Sequence, residues 1–421
     1  MTGYPDSVRY LYALGNEIKA GKFDLRSIAA VLERLGHPER AARIVHVAGT
    51  NGKGSTCTMM ASALQRAGYR TGLYTSPHLV SPTERIRIDG VAVSEEEFAA
   101  AFDVVHRVAE EMLASGELEL HPTYFETVTA MAFVIFRERG VQWTVLEVGL
   151  GGRLDATNVV TPELAVITPI DYDHEAWLGH TIAAIAGEKA GIIKAGVPVV
   201  LARQRPEAEQ VIRERAQAVG APLVRADDYP PSHVRLHERG STFEWDGFAV
   251  ECPLAGAHQV DNTVTALTAL RQLGIPQEAV QEGIRAARWP GRLEYVSETP
   301  AIVLDGAHNP AGVRALAAYI REWAGTRKVW LIYATMRDKS VGEIADVLFP
   351  LVHELILTAA DNPRALHPET LLQHVDHPKA RTAPNLAEAL EMVRREAASQ
   401  DLIFISGSLY LVGEARALLV K

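Results

Sequence analysis

The segment Gly49-Thr50-Asn51-Gly52-Lys53-Gly54-Ser55-Thr56 constrains this chain more than any other. A short apolar run, 44–48 (IVHVA), leads into it. A helical pattern, 55–67 (STCTMMASALQRA), leads out and is closed by Gly68 as a C-cap. Buried strand, glycine loop, helix is the context in which backbone N–H groups curl around phosphate oxygens, with the helix N-terminus adding partial positive charge. Lys53 supplies a full charge for the β/γ-phosphates, and Ser55 or Thr56 can reach phosphate or a bound Mg²⁺. The spacing departs from G-x-x-x-x-G-K-[ST]: two residues separate Gly49 from Gly52, and Gly54 intervenes before Ser55. The bland alternative, a flexible loop with a chance lysine, is the weaker reading in this context.

Composition narrows the classes. With 421 residues, 48% apolar and 22% charged, the chain has side-chain surface enough for a folded core and room for two or three domains. A net charge of −10 argues against binding nucleic acid mainly through phosphate contacts, though not against a small anion in a local pocket. Two cysteines, Cys57 and Cys252, make a disulfide framework or a cysteine-rich zinc site an unlikely design. No apolar run of 18 residues and no signal-like h-region are visible, so no membrane association and a reducing cytoplasm are expected.

The strand–helix rhythm recurs. Residues 5–36 read as helices, and 143–148, 164–168 and 197–201 as strands. Alternation of this kind implies a mostly parallel sheet covered on both faces. A composition break falls at 288–300 (RWPGRLEYVSETP). Beyond it, strands are predicted at 301–305, 328–333, 353–358 and 401–406, with helices at about 310–323, 340–348, 385–398 and 408–419. This is a second α/β unit with a Rossmann-like rhythm.

Other polar residues gather after these strands. Glu147 closes one strand and opens the glycine-rich run 147–158 (EVGLGGRLDATN). A carboxylate there can hold Mg²⁺ beside a triphosphate. Asp171-Tyr172-Asp173-His174 follows the next strand, and His174 offers a neutral ring nitrogen to a metal. Lys189, in 187–192 (GEKAGI), would alone read as a solvated helix residue. If neutralised, its amine can instead add CO₂ to form a carbamate. Asp305 ends the first strand of the second unit, where an acid can bind a ribose hydroxyl, while Asn309 and Pro310 suit a helix N-cap and N1. The run 406–410 (SGSLY) is equally an anion nest or a simple strand-to-helix turn.

Taken in order, GTNGKGST, TSPHLVSPTERIRIDG, TYFETVTAMAF, EVGLGGRLDATN, DYDHEAWLG, GEKAGIIK, HQVDNTVTAL, GRLE, DGAHNP and SGSLY resemble the folylpolyglutamate synthase/dihydrofolate synthase family of the Mur ligase superfamily. The resemblance implies an α/β architecture: an N-terminal P-loop, Mur-ligase-like ATPase domain with a parallel sheet, 1–289, and a smaller Rossmann-like C-terminal glutamate-ligase domain, 290–421. It implies an ATP-dependent amide ligase that adds L-glutamate to dihydropteroate, to folates or to both through an acyl phosphate, a bifunctional chain being the most economical reading. It also implies Mg²⁺, with ATP as co-substrate and room for a monovalent cation such as K⁺, and a monomer.

Position by position, the resemblance assigns Gly52, Lys53, Gly54, Ser55 and Thr56 to the ATP phosphates. Asn262 goes to adenine, Arg292 to phosphate and Asp305 to ribose. Ser76, Glu147 and His174 become magnesium ligands, and Lys189 the carbamylated lysine. Arg85, Phe125 and Asp155 face the folate side, with His308 and Ser406 near glutamate. The catalytic set is Lys53, His174, Lys189 and His308. Two other readings stay open: another Mur-type amino-acid ligase, such as one acting on peptidoglycan precursors, and a regulatory or motor-type ATPase.

Overall fold

A computed structural model describes residues 2–15, 24–337 and 341–420. The expected helices over 16–23 and at residue 340 lie outside the described residues. Helices form at Tyr4–Leu14 and Arg26–Arg34.

The first sheet has eight strands: β1 (Arg43–Ala48), β2 (Thr71–Tyr74), β3 (Ile86–Ile88), β4 (Val91–Ala92), β5 (Trp143–Glu147), β6 (Leu164–Ile167), β7 (Val199–Leu201) and β8 (Leu223–Arg225). Their order is β4-β3-β2-β5-β1-β6-β7-β8. From β2 to β8 every neighbouring pair is parallel; only the β2–β3 and β3–β4 pairs are antiparallel. The central strands β5, β6 and β7 are buried along their length, as a sheet covered on both faces requires. One core cluster joins Tyr74, Ile86 and Leu146 to the N-terminal helices and to helices Glu95–Ser115 and Tyr124–Glu138. Another joins Ile167, Val199 and Leu201 to helices Ile182–Ala190 and Pro206–Ala218.

Local sequence starts these helices cleanly. Ser94 and Glu97 form a reciprocal capping box before Glu95–Ser115, and Thr123 and Glu126 form another before Tyr124–Glu138. Such a cap contributes about 1 kcal/mol.

A three-stranded sheet, β9 (Ser232–His237), β10 (Gly240–Trp245) and β11 (Phe248–Cys252), was not legible as strands. Its side chains alternate only in part: β9 is exposed nearly throughout, whereas β10 buries alternate residues. The last sheet holds β12 (Glu294–Glu298), β13 (Ala301–Asp305), β14 (Val329–Tyr333), β15 (Glu354–Leu357), β16 (Ala380–Thr382) and β17 (Leu402–Ser406), in the order β12-β13-β17-β14-β15-β16. It is parallel except for the β12 edge.

The chain divides into two compact units, one of Met1–Ser232, Glu244–Val250 and Asp261–Ala287, the other of His233–Phe243, Glu251–Val260 and Arg288–Lys421. The α/β class with parallel sheets is as expected. Among the described residues, no helix is long and apolar enough to cross a membrane.

Candidate active site

In the N-terminal unit, β1 lies between β5 and β6, so three polar segments leave the sheet at adjacent carboxyl ends. That edge is where open α/β sheets bind ligands. After β1, Gly49 has φ +151°, and a Cβ there would overlap the Thr168 hydroxyl. Gly52, at φ +82°, is the N-cap of helix Lys53–Arg66, and a Cβ would overlap the Asn262 carboxamide. Glycine is required at both turns, for conformation and for space. The loop is stitched to the segment after β6: Thr50 and Asn51 N–H donate to the Pro169 carbonyl (3.0 and 3.2 Å), and the Thr50 hydroxyl donates to the Asp171 carbonyl (3.0 Å).

Two lysines converge on this loop. Lys53 Nζ donates to the Gly49 and Thr50 carbonyls (3.1 and 3.2 Å). Lys189 Nζ donates to the same Gly49 carbonyl at 2.9 Å. Lys189 is only 4% exposed, which corrects the solvated reading of that residue taken alone. Burial, and next the charge of Lys53, push its ammonium down to about 7, with Asp173 and Asp155 opposing. The amine is therefore substantially neutral at physiological pH.

The glycine run after β5 explains how Lys189 reaches the loop. A Cβ on Gly191 would overlap the Arg153 backbone, and Arg153 N–H donates to the Glu188 carbonyl (2.8 Å). The 149–153 turn thus packs backbone to backbone on the end of helix Ile182–Ala190. Asp155 locks that turn: its carboxylate accepts from Leu150 N–H (2.7 Å), Thr157 N–H (3.0 Å) and the Thr157 hydroxyl (2.5 Å). Burial raises its pKa, against these hydrogen bonds. The ring of Phe125 lies directly against Gly149.

Glu147, buried at the end of β5, accepts from the Ser76 N–H at 3.1 Å. A buried carboxylate beside a serine is a hard oxygen donor set and fits Mg²⁺. His174 starts a short helix, Glu175–Leu178, at φ +52°; its Nε2 lies 3.8 Å from Asp173 Oδ1. Its described partner is thus a carboxylate, and an imidazole is the softer, less typical ligand for magnesium.

Arg85 is buried, donates from Nε to His78 Nδ1 (2.9 Å) and lies 5.3 Å from the Tyr124 ring centroid. Accepting at Nδ1 leaves the proton on Nε2, which donates to the Tyr12 hydroxyl (3.3 Å). Burial and Arg85 lower His78 to about 3, so it is neutral. Tyr12 stacks on Tyr124 at 5.5 Å. Sequence reasoning missed His78, Tyr12 and Tyr124. The signal was present as His78 within TSPHLVSPTERIRIDG, seven residues before Arg85, and as Tyr124 within TYFETVTAMAF.

In the C-terminal unit, β13 and β17 are parallel and place Asp305 beside Ser406. Asp305 is buried and accepts from Leu293 and Ala307 N–H, both at 3.0 Å. Burial raises its pKa, opposed first by Arg292. The Arg292 guanidinium occupies the space a Gly306 side chain would need. His308 Nδ1–H donates to the Gly306 carbonyl (2.8 Å), leaving Nε2 as the basic nitrogen. Asn309 caps helix Pro310–Trp323 through Gly312 N–H, with Pro310 at N1, as expected. Ser406 Oγ reaches the Ala307 carbonyl at 3.5 Å, and Ser408, not Ser406, caps helix Leu409–Leu419.

Residues 47–270 match the Mur ligase middle domain, and 291–409 the Mur ligase, glutamate ligase domain. A Bacillus subtilis dihydrofolate synthase/folylpolyglutamate synthase is 36% identical over 430 residues, covering 99% of each chain. The Escherichia coli dihydrofolate synthase/folylpolyglutamate synthase is 35% identical, covering 92% of this chain and 89% of its own. The structure of Mycobacterium tuberculosis folylpolyglutamate synthase complexed with ADP and AMPPCP superposes with a TM-score of 0.90, at 33% identity and 99% coverage of both chains. Strand order, paired loops and similarity along the whole chain agree: this chain belongs to the dihydrofolate synthase/folylpolyglutamate synthase family of Mur ligases.

Proposed function

We propose that the protein is an ATP-dependent ligase that joins L-glutamate to dihydropteroate and to folates through an acyl phosphate. The observation that carries this is the convergence of the Lys53 ammonium and the largely neutral Lys189 amine on one carbonyl oxygen, Gly49, at the carboxyl end of β1. That arrangement offers the Lys53 charge and a helix N-terminus to a terminal phosphoryl group.

A carboxylate is a poor electrophile because its charge is delocalised. Transfer of the terminal phosphoryl group breaks a P–O bond of ATP, forms one to the acceptor carboxylate and releases ADP. The glutamate amine then attacks the acyl carbon, forms the C–N bond and expels phosphate. Negative charge concentrates on phosphoryl oxygens in both steps, and Lys53 and Arg292 are the residues assigned to meet it. Gly52, Gly54, Ser55 and Thr56 line the phosphate side. Asn262, against Gly52, is assigned to adenine, and Asp305 to ribose. Ser76 and Glu147, with His174, would hold Mg²⁺, which when bound neutralises phosphate charge. His308 Nε2 is the proposed acceptor for the amine proton, with Ser406 beside it on the glutamate side. Arg85, Phe125 and Asp155 serve the folate side, Asp155 chiefly by holding the 149–153 turn. The low-pKa amine of Lys189 suits carbamate formation, which would turn a cation into an anionic oxygen ligand. On this reading the ATP-binding part is 1–289 and the glutamate-ligase part 290–421.

Parallel assays with dihydropteroate and tetrahydrofolate, each with ATP and labelled glutamate, test both activities. Glutamate-dependent product from both acceptors is expected. Product from only one removes bifunctionality; phosphate release without glutamate or pteroate removes the ligase reading.

A further inference from the structure

A second cluster lies on residues that the ligation chemistry does not use. His106 and Glu110 stand one turn apart on helix Glu95–Ser115, and His121 lies in the segment leading to helix Tyr124–Glu138. Among the described residues, this is the one group of three His, Cys, Asp or Glu side chains whose ligating atoms all lie within 4.8 Å of one another. We infer that His106, Glu110 and His121 form a binding site for a borderline divalent transition cation, typified by Zn²⁺.

The geometry carries the argument. His121 Nδ1–H donates to the Pro122 carbonyl at 2.8 Å. That fixes the tautomer and leaves the Nε2 lone pair facing the cluster, the outer-shell arrangement typical of metal-bound histidine. His121 Nε2 lies 3.4 Å from His106 Nδ1. Two nitrogens bound to one tetrahedral zinc at about 2.0–2.1 Å are separated by about 3.3–3.4 Å. Glu110 Oε1 is 3.8 Å from His106 Nδ1 and 3.9 Å from His121 Nε2, so the carboxylate closes by about half an ångström to complete the set. Glu110 is 52% exposed, so it can make that movement, and the site opens to solvent on its side.

The shell is pre-ordered. The His106 ring stacks on Phe102 at 5.1 Å and packs against Tyr10 at 4.5 Å. The Tyr10 hydroxyl donates to Glu110 Oε1 at 3.3 Å. Little side-chain freedom is left to lose on binding. Burial keeps His121 below the ordinary histidine value, hence neutral and able to ligate. Two imidazoles, one carboxylate and an open fourth position suit Zn²⁺, whereas Mg²⁺ prefers six oxygen donors. Without metal, His106 Nδ1–H donates to His121 Nε2; the cation takes the Nδ1 position, and the proton displaced from it moves through solvent to His106 Nε2, so the imidazole stays neutral. A bound cation ties helix Glu95–Ser115 to the lead-in of the helix bearing Tyr124 and Phe125.

The test uses the tag-free full chain in excess Mg²⁺ at neutral pH, titrated with Zn²⁺ by calorimetry and with Co²⁺ by absorption. One ion per chain is expected, with the intense visible bands of tetrahedral Co²⁺ and a Zn²⁺-dependent rise in melting temperature. His121→Gln should abolish binding. Glu110→Gln, on an exposed helix face and safe for folding, should weaken it at least about tenfold. Unchanged affinity in Glu110→Gln together with an octahedral Co²⁺ spectrum would overturn the site, as would no binding by the wild-type chain.

Discussion

The turns after β1 and after β13 share a plan: buried strand, glycine, polar residues, helix. Their electrostatics are opposite. After β1, a backbone carbonyl receives the Lys53 ammonium and the largely neutral Lys189 amine, and residues 49–56 include no acid. After β13, the Asp305 carboxylate is met by two backbone N–H groups and by the charge of Arg292. The first turn holds the Lys53 cation against backbone carbonyls. The second balances its own charge and so serves stability. Lysine changes in the first should therefore cost rate, and changes in the second should cost stability.

The largest effect is expected for Lys53→Ala. Ligation should fall by a factor of about 100–1,000 or more, with circular dichroism and melting unchanged. Near-normal kcat would dissolve the contrast between the two turns. Lys189→Ala should also be inactive, with partial recovery on adding short carboxylic acids; failure of every such acid would count against the carbamate.

Lys189 also gives a pH test. In the fold its ammonium titrates at about 7, against 10.5 for an ordinary lysine. Below about pH 7, folded and unfolded chains both hold the proton, and the cost of burying a cation is fully present. As pH rises from about 7 towards 10.5 the folded chain has lost its proton and the unfolded chain has not, so that cost diminishes. In CO₂-free buffer, Lys189→Met should therefore stabilise the protein most at and below pH 7, and progressively less above it. A pH-independent difference in denaturation midpoint would show that Lys189 is not buried as a depressed amine.

Smaller effects belong to the second turn. Asp305→Asn removes an acceptor from one buried N–H and should cost about 1–3 kcal/mol in unfolding free energy, read by denaturant titration. Asn309→Ala should cost about 1 kcal/mol through the lost cap, leaving glutamate KM unchanged. A large loss of kcat in Asn309→Ala without loss of stability would blur the distinction.

Most of the parallel strands were legible because they are short apolar runs bounded by turn residues, and 301–305 matched its observed bounds, whereas β2, β8 and β16, of three or four residues each, were not legible. Strands β9–β11 were not: β9 (SHVRLH) offers only Val234 and Leu236 between charged or polar residues, and it is exposed nearly throughout. The glycine turn between β1 and helix Lys53–Arg66 was legible from its strand–glycine–helix context. Burial of Lys189 was not: it depends on Gly191 and Gly152 admitting another backbone, a contact between segments about 35 residues apart. The Arg85–His78–Tyr12 set was hidden for the same reason, since it joins two helices and a loop.

The central claim is that a terminal phosphoryl group passes to an organic carboxylate before an amine captures it. Dihydropteroate labelled with ¹⁸O in its carboxylate should return one label per turnover in the released phosphate, analysed by mass spectrometry. Unlabelled phosphate alongside glutamate-containing product would contradict the account.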